Sequence, residues 1–551
     1  MGKWRTYWIK YKYKKTYSLD KGQEKKEKNM NTLLKGLREA DNYTLTENGA
    51  ITYKSTLNAL VDLFALGAAY RTRSDSDCIF LFKKAYEDDP TLAMKCLFYL
   101  RDRAEGQGER RFFTVVCKWL ANNHTEHMRI NLEHVPYYGR YDDWYTFVGT
   151  PLEKDMFNLM KNQLMKDIKS YQSGEDQGIS LLAKWLKSEN TSSDISRKYA
   201  GITRKAFGMN HKEYRKMLSK LRERIKVLER LMSAGRWDEI KFDAIPSRAG
   251  IIYRNAFAKH DVERMKLAKE HDTEVVSYEN FMKDEKTTVN TGVLYPYEVV
   301  SKAYNLTRSI GYGSWWDNTP ARGIDNIDPI ERNAVNKYWS NLKDYFDGCT
   351  FNGLCMIDTS GSMWGEKASA PINVAISLGL YCAERAKGPF ANHYISFSRR
   401  PQLIETNGID FVDKVYRIYS TNLCENTNIE AAFDMLLNTA IKNHCSQDDL
   451  PQNIIVVSDM QFDYQTGMYG VEKATLMENI RSKWENYGYK MPNLVYWNVD
   501  ARSDTIPMKL ENGITFVSGF SASTFESIMK GKTGLDLVLD KLNSSRYERI
   551  K

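Results

Sequence analysis

From residue 349 to the end of the chain, short apolar runs of β type alternate with helical ones, and no other feature restricts the fold as tightly. FNGLCMI, ANHYISFS, NIIVVS, NLVYWNV and GITFVSG are interleaved with stretches such as PINVAISLGLYCAERA, IEAAFDMLLNTAI, ATLMENIRSKWENYG and LDLVLDKL. Strand–helix–strand alternation predicts a parallel sheet covered by helices on both faces. In such sheets ligands gather beyond the carboxyl ends of the strands.

The preceding part keeps a different rhythm. STLNALVDLFALGAAY, TLAMKCLFYLRDRAE, ERRFFTVVCKWLANN and LEKDMFNLMKNQLMKDIKSY carry apolar residues three and four apart, with breaks at GQGE, YYGRYDD and EDQG. This predicts antiparallel helix pairs stacked as in helical-repeat proteins of HEAT type, although no strict sequence period is present. Three parts follow: a basic, aromatic arm over 1–50, a helical repeat-like domain over 51–345, and an α/β domain over 346–551. Trp315-Trp316 reads either as a surface platform or as a plug in the interdomain seam.

Charge divides along the same line. The chain carries +9 overall; residues 349–551 hold 20 Lys and Arg against 23 Asp and Glu, a net of −3, so the part before residue 349 carries +12. That asymmetry points to a polyanionic partner for the helical part, or to an ordinary solvated basic surface. No apolar run approaches the roughly 18 residues a membrane helix needs. The eight cysteines form no CxxC pair, which favours reduced thiols and a cytoplasmic setting over a disulfide or zinc scaffold. A monomer without membrane attachment is expected.

The first β-type run, FNGLCMI, ends in Asp358-Thr359-Ser360-Gly361-Ser362. Taken alone, DTSGS is turn and helix-cap chemistry. Two further polar stops fall at equivalent places: NIIVVS runs into Asp459, and Thr427 precedes the helix IEAAFDMLL. Asp358, Ser360, Ser362, Thr427 and Asp459 can therefore meet at one end of the sheet. A set of oxygens without His or Cys suits a hard cation, Mg²⁺ or Mn²⁺, rather than zinc.

With DTSGS, a threonine 69 residues on and an aspartate 101 residues on, this part resembles a von Willebrand factor A domain and its metal-ion-dependent adhesion site. The resemblance implies that Asp358, Ser360, Ser362 and Thr427 ligate the metal and that Asp459 acts through water. ISFSRRPQL, VSDMQFD and FVSGFS, with LRDRAEGQGERRFF and IPSRAGIIYRNAF upstream, resemble an uncharacterised family in which a helical region precedes such a domain. That arrangement is similar to the Ro autoantigen (TROVE) proteins, where a ring of helical repeats closed by an A-like domain binds small non-coding RNAs. The resemblance implies RNA as the partner, either small non-coding RNA or single-stranded ends.

The densest basic stretch is ITRKAFGMNHKEYRKMLSKLRERIKVLER. Arg204, Lys205, His211, Lys212, Arg215, Lys216, Lys220 and Arg222 are its candidates for RNA contact, and positions 212, 215/216 and 219/220 share a helix face. The similarity to Ro singles out His211, Lys212 and Arg215. The same stretch also reads as a solvated face with Glu213, Glu223 and Glu229 as ion-pair partners. Arg101, Arg103, Arg110 and Arg111, around GQGE, form a second candidate group for phosphate contacts.

Enzymatic readings find little support. The residue two after Asp358 is Ser360, where a haloacid-dehalogenase phosphatase needs a second aspartate. The chain has no GxxxxGK[ST], no GxSxG and no HExxH. The expected function is non-enzymatic RNA binding with a divalent metal in the α/β domain. The alternatives are a protein-binding module whose metal takes a partner's acidic side chain, or a structural component.

Overall fold

The computed structural model describes residues 32–175, 178–308, 326–346, 349–365, 367, 369–397, 400–420, 426–463 and 474–551. Residues 1–31 of the basic arm and Trp315-Trp316 lie outside them. The helical region is the expected series of amphipathic helices. Those that bear on function are α1 (Ala59–Leu66), α2 (Asp75–Asp88), α3 (Pro90–Arg101), α4 (Arg111–Asn123), α5 (Glu153–Ser173), α6 (Leu182–Trp185), α7 (Asp194–Phe207), α8 (His211–Arg224) and α9 (Pro296–Thr307). Their starts follow local chemistry. Asn58, Ser74 and Asp89 cap α1, α2 and α3 with their side chains, and Pro90 opens α3 where its missing N–H leaves no bond unmade.

Before α1 the chain forms a hairpin, β1 (Tyr43–Leu45) and β2 (Ile51–Tyr53). These strands fall across the expected junction between arm and helical region and were not legible as strands. Six more strands build the C-terminal sheet: β3 (Gly353–Asp358), β4 (His393–Phe397), β5 (Gln402–Glu405), β6 (Asn453–Ser458), β7 (Asn493–Asn498) and β8 (Ile514–Ser518), in the order β5-β4-β3-β6-β7-β8. Five are parallel, but β5 runs antiparallel to β4, so the sheet is mixed rather than wholly parallel. Four residues separate β4 from β5, too few for the crossover that a parallel pairing needs. β3 is buried at all six positions and β8 at all five. Alternate side chains point to opposite faces, so both faces of the sheet are covered. α10 (Pro371–Arg385) packs on β3, β4 and β6, α11 (Ile429–Lys442) on β4, and α12 (Gly534–Leu542) on β8.

The two regions share one hydrophobic core. α1, with seven of eight residues buried, lies against β7 and β8. The Ser518 hydroxyl at the end of β8 donates to the Phe64 carbonyl at 2.9 Å, and the Ala501 N–H donates to the Ala69 carbonyl at 3.1 Å. α9 packs on α10. The last residues return to the helical region, where Arg546 engages Asp102 and the Tyr547 hydroxyl donates to the same carboxylate at 2.9 Å.

Candidate functional site

β3 occupies the middle of the sheet. The next strand in sequence, β4, pairs with one of its edges and β6 with the other. The strand order therefore reverses at β3, and the crevice beyond the carboxyl ends of β3 and β6 is the place where such sheets bind ligands. Asp358 is the last residue of β3, and Asp459 directly follows β6. Asp358, Ser360, Thr427 and Asp459 are buried, and Ser362 is half-buried at the rim.

The oxygens of Asp358, Ser360, Ser362 and Asp459 are held by hydrogen bonds. One carboxylate oxygen of Asp358 accepts from the Ser360 N–H at 2.9 Å, the other from the Ser458 hydroxyl at 2.6 Å. The Ser360 and Ser362 hydroxyls are 3.1 Å apart. Asp459 accepts from the Gln461 N–H at 3.2 Å and from the Arg502 guanidinium. Met460 between them takes a positive φ of 62°, a strained conformation at the end of a strand. The Thr427 hydroxyl makes no hydrogen bond among the described residues.

The donor set fits a divalent cation. Burial, and then the neighbouring Asp459 carboxylate, push the Asp358 carboxyl well above the usual range, outweighing the Ser458 and Ser360 hydrogen bonds that favour the anion. Burial and the second carboxylate both disfavour the Asp358 anion, and a cation bound there would offset both. Arg502 supplies positive charge on the Asp459 side only; it also meets the Ser362 carbonyl at 3.3 Å and Glu47 at 3.4 Å. Among the described residues no group of three or more His, Cys, Asp and Glu gathers as a metal site, so any cation here would rely on the serine and threonine hydroxyls.

Sequence reasoning missed the wall of this crevice. The β1–β2 turn docks on the 459–463 segment. The Thr46 hydroxyl donates to the Phe462 carbonyl at 2.7 Å, the Glu47 N–H to the Gln461 side chain at 2.8 Å, and Asn48 to the Gln461 carbonyl at 2.6 Å. These partners stand more than 400 residues apart in sequence, and no local pattern announces them.

The basic stretch separates into two classes. An Asn210–Glu213 capping box starts α8, and Tyr214, Leu218 and Leu221 form its buried face. Lys205, Lys212, Arg215, Lys216 and Lys220 are exposed, and among the described residues none pairs with a carboxylate. Arg222, a candidate for RNA contact, instead turns inward and donates to the Ala183 and Leu186 carbonyls at 2.8 and 2.6 Å, capping the end of α6. Its position, next to Leu221 and one turn from Leu218, puts it on the packed side. Glu189 takes up Arg204 at 3.0 Å and His211 at 2.8 Å. α5 packs on α8, with the Lys220 ammonium 6.0 Å from the Tyr171 ring, and adds exposed Lys161, Lys166 and Lys169. Their apolar surroundings had marked α5 only as a core helix.

The second group is largely paired with carboxylates. Arg101 is buried against Asp143 at 2.6 Å, Arg110 bonds Asp142 and Asp143 at 2.9 and 2.8 Å, and Arg111 meets Asp75 at 2.5 Å. Arg103 alone of the four has no carboxylate partner among the described residues. The YYGRYDD segment, which reads as a break between helices, supplies the two aspartates that consume this charge.

Two family models match the chain, both described as domains of unknown function: DUF2828 over residues 46–141 and 186–346, and DUF7788 over residues 352–547. Uncharacterized protein L728 of Acanthamoeba polyphaga mimivirus is 29% identical over 518 residues, covering 89% of this chain and 85% of that protein. Among solved structures, that of the Deinococcus radiodurans RO (RSR) protein is similar at 13% identity with a TM-score of 0.43, covering 87% of this chain and 99% of that one.

Proposed function

We propose that this chain is a non-enzymatic RNA-binding protein that holds its ligand on the exposed basic face of α7 and α8 and carries a structural Mg²⁺ or Mn²⁺ in its C-terminal sheet unit. The observation that carries the reading is the sorting of charges. In a helical region that carries half of the net +12 found before residue 349, the arginines near Asp142, Asp143 and Glu189 are neutralised by those carboxylates, while Lys205, Lys212, Arg215, Lys216 and Lys220 are left facing solvent. Unpaired cations at helical spacing offer phosphates a row of contacts and release counterions on binding. The partner is a small non-coding or single-stranded RNA, bound by a monomer in the cytoplasm.

Asp358, Ser360, Ser362 and Thr427 would hold the cation, with Asp459 behind them, as in a von Willebrand A-like domain. A cation there would supply an open coordination position for an anionic oxygen. Ser362 at the half-open rim supports a second use, contact with an acidic residue of a protein partner. Ribonuclease treatment of natively purified protein, with the A260/A280 ratio read before and after, separates these uses. A high ratio that falls on digestion supports RNA. A protein-like ratio throughout, together with no RNA binding at low salt, would leave only the protein partner.

A further inference from the structure

Five arginines converge around the turn that follows α3: Arg101, Arg103, Arg110, Arg140 and Arg248. Four are matched. Arg101 and Arg110 hold Asp143, Arg140 meets Asp142 at 2.9 Å, and Arg248 meets Glu298 at 2.8 Å. Arg103 is the fifth. Its guanidinium has no ion-pair or hydrogen-bond partner among the described residues, although it is half-buried. Glu298 also feels its charge but is already engaged by Arg248. Burial, and then the positive charges of Arg101, Arg140 and Arg248, push Arg103 down to about 10. A partly desolvated guanidinium among like charges is a costly arrangement unless an anion completes it.

Arg103 lines a cavity of about 260 Å³ at the seam of the two regions, together with Tyr295, Lys343, Tyr345, Tyr381 and Ser521. Lys343 also lacks a carboxylate partner among the described residues; its ammonium lies 4.7 Å from the Tyr345 ring centre. The one carboxylate on the wall, Glu105, is exposed and lies 3.3 Å from Arg546, which also holds Asp102. The cavity therefore presents two cations that pair with no described carboxylate, beside aromatic rings and with Glu105 on the same wall.

We propose that this cavity binds a phosphate monoester on a small organic carrier, with Arg103 and Lys343 holding the phosphate and the tyrosine rings lining the space for the carrier. Two cations match a dianion better than a single carboxylate, and the planar guanidinium fork suits phosphate oxygens. The volume lies just below the roughly 300–1,000 Å³ of common ligand pockets, which limits the carrier to about the size of a mononucleotide. The phosphate could belong to a free mononucleotide or to the terminus of an RNA chain. The site stands apart from the α8 face and does not rest on the RNA reading.

Calorimetry on the full chain at fixed ionic strength tests it with inorganic phosphate, adenosine monophosphate and adenosine. Binding of the first two but not of adenosine is expected. Arg103→Met should weaken it roughly tenfold or more, as expected for losing hydrogen bonds to a charged group, and Arg103→Lys should retain part of it. Lys343→Met, on the exposed side, provides a second variant should Arg103→Met fold poorly. Lys212→Glu/Arg215→Glu/Lys216→Glu should bind adenosine monophosphate as wild type does, so failure of the RNA reading leaves this result intact. Competition by a 5′-phosphorylated but not an unphosphorylated oligonucleotide would assign the phosphate to an RNA end; competition by neither would assign it to a free mononucleotide. The proposal is overturned if neither phosphate-bearing probe binds, or if folded Arg103→Met and Lys343→Met proteins both bind at wild-type affinity.

Discussion

Replacing Lys212, Arg215 and Lys216 by glutamate tests the RNA reading at its strongest point. The three side chains are exposed on α8. Their only described bond is that of Arg215 to the His211 carbonyl at 3.3 Å, so the change should move stability by no more than about 0.5 kcal/mol. Five exposed candidates lie on α7 and α8: Lys205, Lys212, Arg215, Lys216 and Lys220. If all five contact phosphates of a single strand, log K should fall with log salt at a slope of about −3.5, from roughly 0.7 per contact. Raising salt from about 50 to 200 mM then costs the wild type on the order of 100-fold in affinity. With three contacts removed, the slope should shrink to about −1.4 and the same change in salt should cost roughly sevenfold. Filter binding of one single-stranded RNA oligonucleotide across that range reads both quantities, and a matched thermal melt confirms the fold. An unchanged slope and affinity in the triple variant would show that α8 is only a solvated face. A wild-type slope near zero would refute phosphate contact altogether.

Asp358→Ala should abolish Mg²⁺ and Mn²⁺ binding in calorimetry while leaving RNA affinity unchanged, because the crevice and α8 belong to different elements; equal heats in variant and wild type would refute the metal site. In metal-free protein Asp358 sits above its unfolded value, so the folded state binds the extra proton. Its stabilising contribution is full below the ordinary carboxylate range and is lost as pH rises to about 7. Mg²⁺ should flatten that fall in denaturant melts, and a pH dependence indifferent to Mg²⁺ would contradict the assignment. Arg101→Met should destabilise the chain by about 3 kcal/mol, since it removes one partner of a buried pair, although Arg110 still reaches Asp143. A change under about 0.5 kcal/mol in chemical denaturation would place the pair outside the core. A fragment of residues 349–551 should unfold without a sharp transition, because it lacks the α1 surface that covers β7 and β8; a cooperative transition at the full chain's midpoint would show that the sheet unit folds alone.

The rhythm of apolar residues alone determined that helices come first and a sheet with covering helices follows, because a 3.6-residue or a two-residue period decides which faces can be buried. It also put Asp358 and Asp459 at strand ends, since a continuous apolar run marks a buried strand and the first carboxylate after it marks the edge of the core. The antiparallel β5 could be missed because a four-residue exposed edge strand has no buried face to announce it. The fate of each arginine was not legible at all. Arg101 and Arg103 stand two residues apart with the same chemistry, yet one is neutralised by Asp143 and the other faces a cavity. Arg222 follows a basic stripe but caps a helix end at Ala183. An ion pair depends on which distant carboxylate the fold brings within about 4 Å, and Coulomb attraction has no sequence period. Only the tertiary structure could set the β1–β2 turn against the end of β6 and so decide what walls the crevice that the sequence had located.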